Sequence, residues 1–139
     1  MIGMPTFSLA SMQKLATCDP RLQRLMDEVI EIIDITILVG HRGKAEQDEA
    51  CSQGKSKTPW PTSKHNSLPS KAVDIVQYFP VAPHIRWNDE RSFTLLAGIV
   101  KAVAANLGYK IRWGGDWDSD DDQSDEKGLR DLDHWEIVD

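Results

Sequence analysis

Apolar positions recur along the chain with two different periods, and the changes of period divide it into elements. Leu22, Leu25, Met26, Val29, Ile30 and Ile33 fall at helical spacing and form one stripe. Asp19-Pro20 opens that segment, with a side-chain acceptor at the N-cap and a proline in the first turn. Ile35 to Val39 is short and β-branched, which predicts a strand, and Gly40-His41-Arg42-Gly43 breaks it. Lys44 to Gln53 is polar and helix-prone, with Gly54 as its stop. Ser56 to Ser70 holds three prolines and many small polar residues and reads as a long loop, a length often functional inside a compact domain. Ala72 to Val76 predicts a second, buried strand. Asn88 is expected to cap a helix from Asp89 to Leu107 that buries Phe93, Leu96, Ile99, Val100, Val103 and Leu107, with Gly108 as its stop. Tyr109 to Trp113 and Trp135 to Val138 complete the strands. Long helices, short strands and polar loops predict an α+β fold.

Composition narrows the class. The 139 residues suit a single domain, 1–139, large enough to bury a core without staples. No apolar run approaches the ~20 residues of a membrane span, so no stable membrane association is expected. Met1 to Gln13 has neither a basic start nor a continuous apolar stretch, which predicts no secretory signal. Cys18 and Cys51 form no disulfide framework and read as ordinary thiols of a reducing cytosol. The net charge of -6 is unevenly placed: Asp116 to Asp139 carries 11 acids against two bases, and the rest of the chain is mildly basic. Overall acidity argues against a nucleic-acid partner.

Two stretches carry candidate chemistry. Ser63-Lys64-His65 precedes Ala72-Val73-Asp74, and an aspartate between Val73 and Ile75 is costly to bury unless it is paired or binds a cation. Asp131-Leu132-Asp133-His134-Trp135-Glu136 places a histidine at the opening of an apolar strand with carboxylates on both sides. Two histidines and one carboxylate make a zinc set that leaves a fourth position for water. Singly, each residue has an ordinary structural alternative, a hydrogen-bonded histidine or a turn-forming aspartate. The helix-borne H-E-x-x-H signature is absent.

Taken together, Ser63-x-His65, Ala72-x-Asp74 and Asp131-x-x-His134-Trp135-Glu136 resemble the zinc D-Ala-D-Ala carboxypeptidase family, which includes the vancomycin-resistance D,D-peptidases. The resemblance is closest to its small phage members, the L-alanyl-D-glutamate peptidase endolysins. It runs over most of the chain and takes in Gly40-x-Arg42 and Trp113-Gly114-Gly115-Asp116-Trp117. One departure stands out: eight residues, Asn66 to Val73, separate His65 from Asp74, where the family pattern has a glycine in a shorter gap and this chain has Leu68-Pro69-Ser70. A two-residue loop extension costs little.

The resemblance implies a hedgehog/D-Ala-D-Ala-peptidase-like fold, with a small antiparallel sheet packed against helices. It implies one catalytic Zn2+ on His65, Asp74 and His134, Asp131 as general base, Arg42 on the substrate carbonyl or oxyanion, and Ser63 as a contact to substrate backbone. Neighbours in an extended segment face opposite ways, so Asp133 is expected to face away from a metal held by His134, while Asp131 lies off the regular strand and can curl over the site. Glu136 stays open between orienting a ligand histidine and a solvated strand position. Trp60, Trp113 and Trp117 stay open between cleft walls and core, and His41 between the cleft and an ordinary loop position.

The implied activity is that of a phage endolysin: a monomeric zinc endopeptidase that cuts the L-alanyl–D-glutamate bond of peptidoglycan, is made in the host cytoplasm and reaches the wall through a membrane pore. The alternatives are a D-Ala-D-Ala carboxypeptidase or dipeptidase, and a non-catalytic zinc-binding module of the same fold. Finally, Asp116, Asp118, Asp120, Asp121, Asp122, Asp125 and Glu126 crowd one loop. Such runs are usually solvated faces, but Asp116-x-Asp118-x-Asp120 opens like a calcium loop. The EF-hand pattern fails, with Asp121 at its sixth position and Lys127 at its twelfth. The expectation is a non-EF-hand Ca2+ site using Asp116, Asp118, Asp120 and Asp122, ordering the loop that leads to Asp131 and His134.

Overall fold

The computed structural model describes residues 5–122 and 131–139. Asp125, Glu126, Lys127 and Arg130 of the acidic segment lie outside the described residues.

The stripe from Leu22 to Ile30 forms α2 (Pro20–Ile30), in which Leu22, Leu25, Met26, Val29 and Ile30 are buried. Burying a side chain of this kind contributes about 1.5–3 kcal/mol. The Asp19 carboxylate accepts from the Arg21 N–H and caps the helix as expected. An unanticipated helix, α1 (Leu9–Leu15), precedes it, capped by the Ser8 hydroxyl, which accepts from the Ser11 N–H. Only Ser11 and Leu15 of α1 are buried, so it offers no apolar stripe to read. Its Ser11 Oγ accepts from the Ile37 N–H at 3.0 Å. That bond occupies a donor on an edge strand that another chain could otherwise pair with.

The strands are β1 (Ile35–Val39), β2 (Ala72–Gln77), β3 (Ile111–Gly114) and β4 (Asp131–Ile137). They form one sheet in the order β1-β2-β4-β3, with every neighbouring pair antiparallel. The other helices are α3 (Lys44–Ser52) and α4 (Glu90–Leu107). The α+β expectation of a small antiparallel sheet packed with helices is borne out. Asp89 rather than Asn88 caps α4, its side chain accepting from the Ser92 N–H at 3.3 Å. The two residue types cap equally well, and the N–H three residues on decides between them. Gly108 ends α4 in the left-handed conformation, at φ 77°.

Alternation along the strands gives the sheet two unlike faces. Ile35, Ile37, Val73, Ile75, Trp113, Trp135 and Ile137 join the core with α2 and α4. Asp74, His134 and Glu136 take the intervening positions and are buried polar groups. Here β4 begins at Asp131, four residues before the expected start. Trp113 pairs with Trp135 but the next residue, Gly114, pairs with Asp131, so Leu132 to His134 bulge out of the β3–β4 ladder, while His134 keeps its pairing with Asp74 of β2. The Trp113 indole N–H holds the bulge by donating to the Leu132 carbonyl at 2.8 Å.

Candidate metal centre

Two loops and two strands build the centre. His65 sits in a 3-10 turn, Lys64–Asn66, capped at both ends of its hydrogen-bond cycle: Ser63 Oγ accepts from the His65 N–H at 3.2 Å, and Asn66 Oδ1 from the Ser63 N–H at 3.0 Å. The His65 carbonyl accepts from the Arg42 N–H at 2.8 Å, which ties this turn to the exit of β1. His65 Nδ1 donates to the Gly40 carbonyl at 2.7 Å, leaving Nε2 aimed at Asp74. Glycine is required at position 40, because a Cβ there would overlap the Lys14 carbonyl and the Thr17 hydroxyl. Asp74 and His134 come from the middle strands, as direct cross-strand partners.

Asp74 Oδ1 lies 3.0 Å from His65 Nε2 and 3.1 Å from His134 Nδ1. All three residues are buried, and one ligand atom from each lies within 4.8 Å of the others. Burial pushes the Asp74 carboxyl up, but the hydrogen bonds from His134 and His65 outweigh it and hold it well below the usual carboxylate range. Burial would lower His134, yet its bonds to Asp74 and Glu136 raise it to about 10. Glu136 Oε1 takes the far nitrogen of that ring, Nε2, at 2.9 Å. Glu136 is thus a buried partner that orients His134, not a solvated strand residue. A carboxylate on the outer nitrogen of a ligating histidine is the usual means of fixing its tautomer. Two imidazoles and a carboxylate, each already oriented, suit a transition ion such as zinc.

Asp131 and Asp133 each bring a carboxylate oxygen within 4.8 Å of one another and of Asp74. The expectation that Asp133 faces away is therefore corrected, as is the placement of Asp131 off the strand, since it is the first residue of β4. Strict alternation fails because Asp133 itself lies within the bulge between Asp131 and Trp135. Burial, the hydrogen bond with Asp131 and the Asp74 charge push the Asp133 carboxyl up to about 9, so it holds a proton beside Asp131 at neutral pH.

Arg42 Nη2 lies 3.7 Å from Asp74 Oδ2, and its Nη1 donates to Gln47 Oε1 at 3.1 Å. The same Gln47 oxygen accepts from Asn66 Nδ2 at 3.0 Å, and Gln47 Nε2 donates to the Thr58 carbonyl at 2.6 Å. Gln47 is fully buried and braces Arg42, the 3-10 turn and the long loop together. Within a uniformly polar helix, nothing distinguishes it from Gln53, so sequence reasoning missed it. Trp117 tilts over His134 with ring centroids 5.5 Å apart, while Trp113 is core, stacked on Trp135 at 5.8 Å. Trp60 is half-buried in the long loop. His84 stacks on Tyr78 in the loop after β2, outside the cluster, and the His41 backbone N–H is bonded to Thr17. Asp116, Asp118 and Asp120 bring their carboxylates within 4.8 Å of one another. Asp122 is exposed beside them, its backbone N–H donating to Asp120 Oδ1 at 2.8 Å.

The chain resembles known proteins over nearly its whole length. The family model described as phage L-alanyl-D-glutamate peptidase matches residues 4–138. The chain belongs to that family. It is 32% identical over 136 residues to the L-alanyl-D-glutamate peptidase of Escherichia phage T5, covering 95% of this chain and 97% of the relative. Its fold matches the crystal structure of the Serratia marcescens L-Ala D-Glu endopeptidase ChiX with a TM-score of 0.72 and 25% identity, over 96% of this chain and 90% of that one.

Proposed function

We propose that this chain is a zinc endopeptidase that hydrolyses the L-alanyl–D-glutamate bond of the peptidoglycan stem peptide, as a phage endolysin. The observation that carries the reading is the convergence of His65, Asp74 and His134, within a family of L-alanyl-D-glutamate peptidases. Zinc bound there would polarise the scissile carbonyl and lower the pKa of a bound water to roughly 7. The chain supplies the rest. Gly40 and Glu136 fix the two imidazoles, so little reorganisation accompanies binding. Asp131 takes the proton of the attacking water and returns it to the leaving amine. Asp133, bonded to Asp131, keeps the pair from carrying two full charges next to Asp74. Arg42, held by Gln47, stabilises the oxyanion, a charge that grows only in the transition state. Ser63 Oγ accepts within its own turn and has its proton left to donate to substrate backbone.

A calcium ion on Asp116, Asp118 and Asp120, with Asp122 completing the set, regulates the enzyme by ordering the approach to Asp131. Support comes from Asp116, which is buried and whose Oδ1 has no hydrogen-bond partner among the described residues. The protein acts as a monomer with no nucleic-acid partner, is made in the host cytoplasm, and reaches the wall once a pore has opened. Among the described residues no helix is long and apolar enough to cross a membrane.

Mass spectrometry of purified peptidoglycan, digested by zinc-loaded protein beside a chelator-treated control, tests the reading. Stem peptides beginning with D-glutamate, with L-alanine left on the glycan, are expected. Free D-alanine as the sole product would instead assign a carboxypeptidase, and no zinc-dependent product would assign a binding module. Calcium added at fixed zinc should change the rate; an unchanged rate together with unchanged loop hydrogen exchange would remove calcium from the scheme.

A further inference from the structure

Two cations stand on the polar face of the sheet beside the centre. Arg112 of β3 is the cross-strand partner of Glu136, which lies two residues beyond His134 on the same face. Lys64 comes from the turn that carries His65. Lys64 Nζ lies 3.3 Å and Arg112 Nη1 3.6 Å from the same Glu136 oxygen, Oε2. That one carboxylate already serves His134 through its other oxygen. The two side chains are 36% and 39% exposed, so both cations reach solvent beside the buried centre. Among the described residues the Arg112 fork is barely used: it makes one ion-pair contact, a long one, and its buried Nε has no hydrogen-bond partner. Lys64 Nζ also donates to the Ile137 carbonyl, but the two cations share one carboxylate, Glu136, in a chain whose net charge is -6. The terminal N–H groups of a part-exposed guanidinium beside an ammonium are the arrangement that receives a carboxylate in bidentate fashion.

We propose that Arg112 and Lys64 form a substrate-carboxylate site that reads the free carboxylate of the glutamyl residue next to the scissile bond. The inference rests on the peptidase reading above. Glutamate has two carboxyl groups and the stem continues through only one of them. The other remains charged, one residue from the attacked carbonyl, whichever linkage is used. Glu136 then has a double role: it orients His134 on one side and holds the two cations in place on the other.

The test uses two synthetic stem peptides that differ only in this group, one with the free carboxylate and one with it amidated, and the full-length zinc-loaded protein. Wild type should cleave the acid with a kcat/KM about tenfold or more above the amide, the worth of a charge-assisted hydrogen bond. Arg112→Gln should raise KM for the acid, leave the amide nearly unchanged and so collapse the preference. Lys64→Gln should do the same in part. Arg112→Lys, which keeps the charge but loses the fork, should fall between. Calorimetry with the product peptide bearing an N-terminal D-glutamate should show the matching loss of affinity. A wild type indifferent to amidation would overturn the proposal. So would an Arg112→Gln variant with intact zinc content that slows both peptides equally, which would reduce Arg112 to a support for Glu136. Cleavage of neither peptide by zinc-loaded wild type would overturn the peptidase reading itself, and this site with it.

Discussion

Metal uptake by this centre should expel a proton from His134, and the structure sets the size of the effect. The His134 ring lies between two carboxylates, Asp74 at 3.1 Å and Glu136 at 2.9 Å, which raise it to about 10. At pH 7 the ring is therefore a cation, and Nδ1 must lose its proton before it can ligate. Displacing a proton bound three units above ambient pH costs roughly 4 kcal/mol, at about 1.36 kcal/mol per unit. Apparent zinc affinity should therefore rise about tenfold per pH unit through neutrality. Calorimetry in buffers of different ionisation enthalpy should find at least one proton released per zinc at pH 7. Glu136→Gln removes one of the two carboxylates. It should lower the His134 pKa and shrink the release above neutrality, while costing about 10–100-fold in affinity through lost orientation. Zinc binding with no proton release, and an affinity flat from pH 6 to 9, would refute His134 as the cationic ligand. The same shifts govern folding. His134 is raised above its unfolded value, so its contribution is complete below about 6.5 and lost as pH climbs through about 10. Asp133, raised from 3.8 to about 9, lowers stability as pH rises across that interval. The metal-free protein should melt progressively lower from pH 6 to 10, and saturating zinc should flatten the trend.

Three further outcomes are expected. Asp131→Ala should retain zinc, measured by metal analysis, and lose about 10²–10⁴-fold in kcat; unchanged hydrolysis would take Asp131 out of the mechanism. Gly114→Ala should lower the melting temperature and the activity together, because its Cβ would overlap the Asp131 carbonyl and the strands must part, at a cost of about 1–3 kcal/mol. Iodoacetamide under native conditions should label Cys51, which is half-exposed, and spare Cys18, which is buried and whose thiol burial pushes up to about 11; equal labelling of both would contradict the burial of Cys18 in the core.

Much of the fold was legible because burial left a periodic trace. The stripe of α2 and the β-branched run of β1 both fall where their spacing places them. Asp74 was legible for the opposite reason, as a charge in an apolar strand that must have a partner. What the residues did not disclose depends on contacts far apart in the chain. Helix α1 buries too little to leave a stripe. Gln47 looks like any polar helix residue until Arg42, Asn66 and Thr58 converge on it. Asp133 was misplaced because alternation assumes an unbroken ladder, and the ladder is broken opposite Gly114. Glu136 could be resolved only once His134 was placed two residues away on the same side of the strand.

One consequence ties packing to chemistry. Asp74 and His134 face each other because β2 and β4 pair with Val73 opposite Trp135 and Ala72 opposite Glu136. The residues that enforce this register are the buried apolar ones on the other face: Val73, Ile75, Trp135 and Ile137. A slip of one residue would send Asp74 into the core and bring Val73 or Ile75 onto the polar face, which the burial energy of those side chains forbids. The core therefore aligns two of the three candidate ligands without touching them. The third, His65, is tied to the same frame through the Gly40 carbonyl at the end of β1 and the Arg42 N–H beyond it. A single cooperative sheet thus positions all three side chains. Each can approach the others closely because the opposing charges are neutralised locally, by Glu136 on one flank and Arg42 on the other.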